Sequence, residues 1–74
     1  MRTMYDVQQL LKKFGTFIYL GNRLYDIEFM MIEVRELFDA GVIERQVFLN
    51  AMVVLKKEHR EELEYQEGLN WARN

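Results

Sequence analysis

The 74-residue sequence predicts an all-α fold, a three-helix bundle with an extended apolar connector between helices 1 and 2. Apolar side chains recur at helical spacing in three segments. A glycine stands where each of the first two segments ends. Only one short segment has the composition of a strand, and no second one exists to pair with it. We therefore expect a single helical domain over residues 1–74.

The first helix is predicted over residues 4–14. Thr3 is a suitable N-cap, and Asp6 stands three residues later, where it completes a capping box. Gly15 occupies the position at which a left-handed residue commonly ends a helix. The predicted apolar side of this helix consists of Met4, Val7, Leu10, Leu11 and Phe14.

The connector, residues 16–20, reads TFIYL and lies between Gly15 and Gly21. Its β-branched and aromatic residues favour an extended backbone. Because the chain offers no second strand, we expect the connector to lie across the bundle. The alternative is that it pairs with a second copy of the chain.

The second helix is predicted over residues 23–40, with Asn22 as its N-cap. It has two apolar stripes. The favoured interpretation is a central helix with neighbours on both sides, and the alternative is that the second stripe contacts a partner or a second copy. The first stripe consists of Leu24, Ile27, Met30, Met31, Val34, Leu37 and Phe38, and the second of Tyr25, Phe29 and Ile32.

The third helix is predicted from about residue 44 to residue 66, with Gly68 ending it and its end projecting beyond the shorter helices. Residues 68–74 are expected to form a frayed tail unless Trp71 packs against the domain. His59 falls on the apolar side, which favours a partly buried, hydrogen-bonded histidine over a catalytic base. The predicted apolar side consists of Phe48, Ala51, Met52, Leu55, His59 and Leu63.

Composition argues against several classes of function. The sequence has no cysteine and no serine, which excludes disulfides, Cys-based zinc sites and Ser or Cys catalytic triads. Asp26, Glu28, Glu33 and Glu36 point in several directions around helix 2, which favours a solvated face over a metal site. We therefore expect that the protein is not an enzyme and that it binds no cofactor and no metal. With no membrane-length apolar run and no signal peptide, we expect a cytoplasmic protein.

Charge is distributed unevenly. Residues 1–23 contain four basic residues and one acid, whereas residues 24–74 contain six basic residues and eleven acids. Single-stranded nucleic acid is held by cations on its phosphates and aromatic rings under its bases. The alternative is a solvated face on which tyrosines close the edge of the core. The candidate nucleic-acid-binding residues are Tyr5, Lys12, Lys13, Tyr19 and Arg23.

Three segments fall in register with a known pattern: MYDVQQLLKKFG, then IYLGNR, then YDIEFMMIEVRELFDAGVI. Over residues 4–52 the chain resembles the YqgQ-like family of small uncharacterised proteins from Gram-positive bacteria. The resemblance implies a three-helix bundle in a cytoplasmic protein with no assigned catalytic activity. It also implies the single-stranded nucleic-acid-binding role that has been suggested for such proteins, but it assigns no site residues.

Two hypotheses of function follow. The first is weak binding of single-stranded DNA or RNA through the basic and aromatic residues of helix 1 and the connector. The second is a protein-interaction or self-association module. Its interface would be the connector, the second stripe of helix 2 or the projecting end of helix 3, with Phe17, Leu20, Tyr25, Phe29 and Ile32 as candidates.

Overall fold

The computed structural model describes residues 1–73, with side chains through residue 69. Within this part of the chain there are three helices and no strand, which confirms the predicted all-α three-helix bundle. The helices are α1 (Met4–Lys13), α2 (Arg23–Asp39) and α3 (Arg45–Arg73). Helices α2 and α3 share the most extensive contact, and α1 lies against both.

Helix α1 begins and ends as its sequence indicates. The Thr3 hydroxyl accepts from the Asp6 N–H at 3.4 Å, and the Asp6 carboxylate accepts from the Thr3 N–H at 3.1 Å, forming the capping box. Gly15 has φ +81°, and its N–H donates to the Lys12 carbonyl. The prediction that Phe14 belongs to the core is wrong: it caps the helix and is exposed, because the chain turns away at Gly15.

The connector, residues 16–20, is neither helix nor strand and lies along the bundle. Ile18 packs against the core, while its neighbours Phe17 and Tyr19 point outward. The Leu20 N–H donates to the Asp26 carboxylate at 2.6 Å, and Asp26 is itself buried. The assignment of Asp26 to a solvated face is therefore wrong, because its carboxylate satisfies a connector N–H that has no strand to pair with.

The core contains residues from all three helices. The first stripe of α2 is confirmed, with Ile27, Met30 and Val34 completely buried. Phe38 stacks on Phe48 across the α2–α3 turn, with ring centroids 4.4 Å apart. The remaining buried apolar residues are Met4, Val7, Leu11, Ile43, Ala51, Val54 and Leu55.

The second stripe of α2 is not part of the core. Phe29 and Ile32 are 47% and 52% exposed, and Tyr25 is exposed as well. The favoured interpretation of α2 as a helix covered on both sides is therefore wrong. Helices α1 and α3 both pack on the first stripe, since a bundle of three helices leaves one side of each helix to solvent.

Helix α3 continues through Gly68 to Arg73, so the prediction that it ends near residue 66 at Gly68 is wrong. A single glycine inside a helix costs about 1 kcal/mol relative to alanine and does not by itself end one. Gly68 lacks the positive φ found at Gly15. The molecule extends 47 Å along its longest axis. The Trp71 side chain lies outside the described side chains.

The far half of α3 contacts α2 through polar side chains. The His59 Nε2 lies 2.8 Å from the Glu28 Oε2, which confirms a partly buried, hydrogen-bonded histidine. Leu63, one turn further, is exposed, so its assignment to the core is wrong. The first two helices are too short to cover α3 at that point.

Candidate nucleic-acid interface

A groove of about 210 Å³ lies between α1 and the connector. Its apolar lining comes from Leu11 of α1, Ile18 of the connector and Met30 of α2. Leu11 and Met30 are buried core residues. The floor of the groove, formed by Leu11, Ile18 and Met30, is therefore apolar and continuous with the core.

Aromatic side chains border this groove. Tyr5 on α1 is 64% exposed, and Phe17 and Tyr19 on the connector are 82% and 80% exposed. The alternative in which tyrosines close the edge of the core does not describe Tyr5 or Tyr19, because most of each side chain is in contact with solvent. Phe17, assigned by sequence to a protein interface, belongs to this groove instead.

The two lysines of α1 differ in position. Lys12 lines the groove beside the aromatic residues. Lys13 follows it in the last turn of α1 and does not line the groove. Both side chains are exposed. Cations at this position also interact favourably with the negative end of the helix dipole.

Arg23 is close to the groove but is paired with acids. It lines a shallow concavity with Tyr5 and Gln8, two residues that also line the groove. Its Nη2 lies 2.8 Å from the Glu58 Oε2, and its Nε lies 3.7 Å from the Glu62 Oε2. Two carboxylates therefore offset the charge of Arg23, a pairing that no local sequence pattern reveals because the partners lie on α3.

Sequence reasoning did not identify Gln8 as a site residue. Gln8 and its neighbour Gln9 both line the groove and are half-buried. Gln8 follows Tyr5 by three residues and precedes Lys12 by four, so the three lie on one face of α1. That helical spacing is the signal in the sequence that indicates Gln8.

A second surface lies on the outer side of α2. Leu20 at the end of the connector meets Tyr25, Phe29 and Ile32 of α2 in a shallow, mainly apolar depression. Glu28 borders this depression. Four of the five residues proposed for a protein interface are therefore brought together, and Phe17 is separated from them.

The start of α1 has an electrostatic feature of its own. The backbone N–H groups of Arg2 and Thr3 donate to the Asp6 carboxylate at 2.9 and 3.1 Å. These bonds favour the ionised form and lower the pKa of Asp6 below its ordinary value of 3.8. The capping box is therefore present in its charged form at neutral pH.

No helix within residues 1–73 combines the length and the apolar character needed to cross a membrane. Comparison with known proteins gives two matches. A family model described as YqgQ-like matches residues 1–61. The "Uncharacterized protein YqgQ" of Bacillus subtilis (strain 168) is 50% identical over 58 residues, which covers 78% of this chain and 82% of that protein. The chain therefore belongs to the YqgQ-like family.

Proposed function

We propose that this protein is a non-catalytic cytoplasmic binder of single-stranded DNA or RNA, and that the groove between α1 and the connector is its binding surface. The observation that supports this proposal most is the exposure of Tyr5, Phe17 and Tyr19 around a groove that also contains Lys12. Large apolar rings in the core of a small bundle would be buried. Rings that stand in solvent beside a cation suit bases and phosphates.

The charge pattern sets the expected strength of binding. Lys12 and Lys13 are exposed, whereas Arg23 is held by Glu58 and Glu62. Two free lysines provide few phosphate contacts, so binding is weak and depends on salt. The logarithm of the affinity constant falls by about 0.7 per phosphate contact for each unit of log salt concentration.

The test is a titration of a fluorescent dT strand with wild type and with Lys12→Ala/Lys13→Ala, at about 50 and about 200 mM salt. The matched control is Lys56→Ala/Lys57→Ala, which removes two adjacent exposed lysines from α3. We expect the α1 variant to lose affinity and salt dependence, and the α3 variant to lose much less of both.

Absence of binding by wild type at the lower salt concentration would refute the proposal. Equal loss in the two lysine variants would also refute it, since it would show a response to net charge rather than to the groove. Circular dichroism of each variant checks that the helices remain folded.

A second candidate function, binding of a protein partner, is favoured by the exposed second stripe of α2. The acids Glu28, Glu33 and Glu36 lie on α2 around this stripe. In a symmetric pair formed through this surface the same acids would face each other. The surface therefore suits a partner segment that combines apolar and basic side chains.

Unfolding and sedimentation test this second candidate with Phe29→Gln and Ile32→Gln, and with Val53→Gln as the exposed apolar control on α3. If the stripe is an unoccupied interface, each change alters the free energy of unfolding by no more than about 0.5 kcal/mol, and wild type sediments as a monomer. A loss of about 2 kcal/mol for the α2 variants alone would assign the stripe to the core. A dimer that Ile32→Gln dissociates would make a second copy the occupant.

A further inference from the structure

The groove has the size of a pocket for a planar ring. Its volume is about 210 Å³. An apolar cavity of about 150 Å³ in another protein is known to accept benzene, a single six-membered ring. The larger volume here suits the two fused rings of a purine, which would lie on the apolar floor of Leu11, Ile18 and Met30.

Gln8 is the polar side chain best placed on this floor. It precedes Leu11 by one helical turn, so the two side chains lie on the same side of α1. Gln9 also lines the groove but lies 100° further around the helix. Gln46 and Gln66 donate to side chains within α3, whereas the Gln8 amide forms no hydrogen bond with the part of the chain whose side chains are described.

The amide of Gln8 can pair with the edge of a base. A glutamine amide presents a donor beside an acceptor and can form two hydrogen bonds with a base that presents an acceptor beside a donor. In a single strand every base has such an edge, so the amide by itself does not select one base. The size of the groove, which suits two fused rings, favours a purine.

We propose that the groove receives one base of a single strand, that a purine fits it better than a pyrimidine, and that the Gln8 amide hydrogen-bonds the edge of this base. The inference rests on the proposed nucleic-acid-binding function. The exposed rings stack on bases of any sequence, Lys12 contacts phosphate, the size of the groove favours a purine, and Gln8 holds the edge of the base.

The experiment uses a labelled dT strand of about nine nucleotides, a length within the site sizes of small single-strand binders. Its central position is dT, dA, dG or dC in otherwise identical strands. We expect the strands with central dA and dG to bind about fivefold or more tightly than those with central dT and dC, at the lower end of the contribution of one stacked base.

Gln8→Met is the test variant, because methionine keeps the length and the helix propensity of glutamine without the amide. Gln9→Met is the matched control. We expect Gln8→Met to lose more affinity for the strands with central dA and dG than for the all-dT strand, because the amide pairs with the base in the groove, and Gln9→Met to lose less affinity for the purine strands.

The outcomes separate the two proposals. If wild type binds all four strands with equal affinity, the base pocket is wrong and the proposed function stands. If Gln8→Met loses no more affinity for the strands with central dA and dG than for the all-dT strand, the assignment of Gln8 is wrong. If wild type binds none of the strands, the proposed function itself fails.

Discussion

The connector serves two surfaces that differ in charge. Phe17 and Tyr19 extend to the groove on α1, where Lys12 is exposed, and Leu20 extends to the outer side of α2, where Glu28 lies. Tyr19 and Leu20 are neighbours in sequence but line different surfaces, so a few residues of the connector contribute to both. Exposed aromatic residues alone therefore do not identify a ligand. The charges beside them separate a surface for a polyanion from one that repels it.

The largest expected effect comes from removing aromatic rings at the groove. Phe17→Ala/Tyr19→Ala should weaken binding of a dT strand by at least about tenfold, because each stacked base contributes about 1–3 kcal/mol. The matched control Tyr25→Ala/Phe29→Ala removes two rings from the other surface. Fluorescence anisotropy measures both. Equal losses of affinity in the two variants would show that the groove and the outer side of α2 do not differ as binding surfaces.

The next effect concerns Asp26, whose carboxylate accepts a hydrogen bond from the connector at Leu20, between the two surfaces. Asp26→Ala removes the acceptor of the Leu20 N–H and should lower the free energy of unfolding by about 2 kcal/mol. Asp26→Asn keeps an acceptor and should cost less. Glu36→Ala, an exposed acid on the same helix, should change stability by no more than about 0.5 kcal/mol. Urea denaturation that ranks Asp26→Ala with Glu36→Ala would contradict this role.

A smaller effect should appear at Arg23, which lies near the groove but is paired with acids. Glu58→Gln/Glu62→Gln removes both carboxylates and frees the guanidinium. We expect binding of a dT strand to strengthen about threefold, the scale of one surface ion pair. Glu64→Gln/Glu67→Gln makes the same change of charge further along α3 and should have less effect. A larger gain in that control would mean that total charge governs binding.

The smallest effect is a dependence on pH at the start of α1. The pKa of Asp6 is lowered in the folded state, so its stabilising contribution is complete above the ordinary value of 3.8 and is lost as pH falls through the folded pKa. The neutral amide of Asn22, which caps α2, has no such dependence. The difference in Tm between wild type and Asp6→Asn should be constant from pH 7 to 5 and should shrink below the ordinary pKa. A difference that stays the same at pH 3 would contradict this.

Local patterns predicted the parts of the fold that depend on neighbours in sequence. The capping box of Thr3 and Asp6, the glycine at residue 15 and the buried stripe of α2 all follow from spacing of one or two helical turns. The side of α2 left open does not follow from spacing, because it depends on where α1 and α3 pack. Gly68 shows that a local pattern can also mislead. Glycine commonly follows the last residue of a helix, but α3 continues through Gly68.

The candidate site was predictable to the same extent. Tyr5 and Lys12 share a helix face, and Tyr19 joins them because the connector returns along α1. The ion pairs of Arg23 with α3 and the burial of Asp26 arise from tertiary packing, which leaves no periodic trace in the sequence. Composition indicated a basic and aromatic region, and only the fold separated Phe17 from Leu20.

The position of the binding surface can be tested directly by titrating the ¹⁵N-labelled protein with an unlabelled dT strand and following the backbone amide signals in NMR spectra. Binding in the groove predicts that the largest shifts lie in α1, in the connector and at Met30 on the groove floor, with Tyr5, Lys12 and Tyr19 among the most affected. The signals of Ile32 on α2 and Val53 on α3 should stay in place. Shifts centred on the outer side of α2, or no shifts at low salt, would contradict binding of a single strand in the groove.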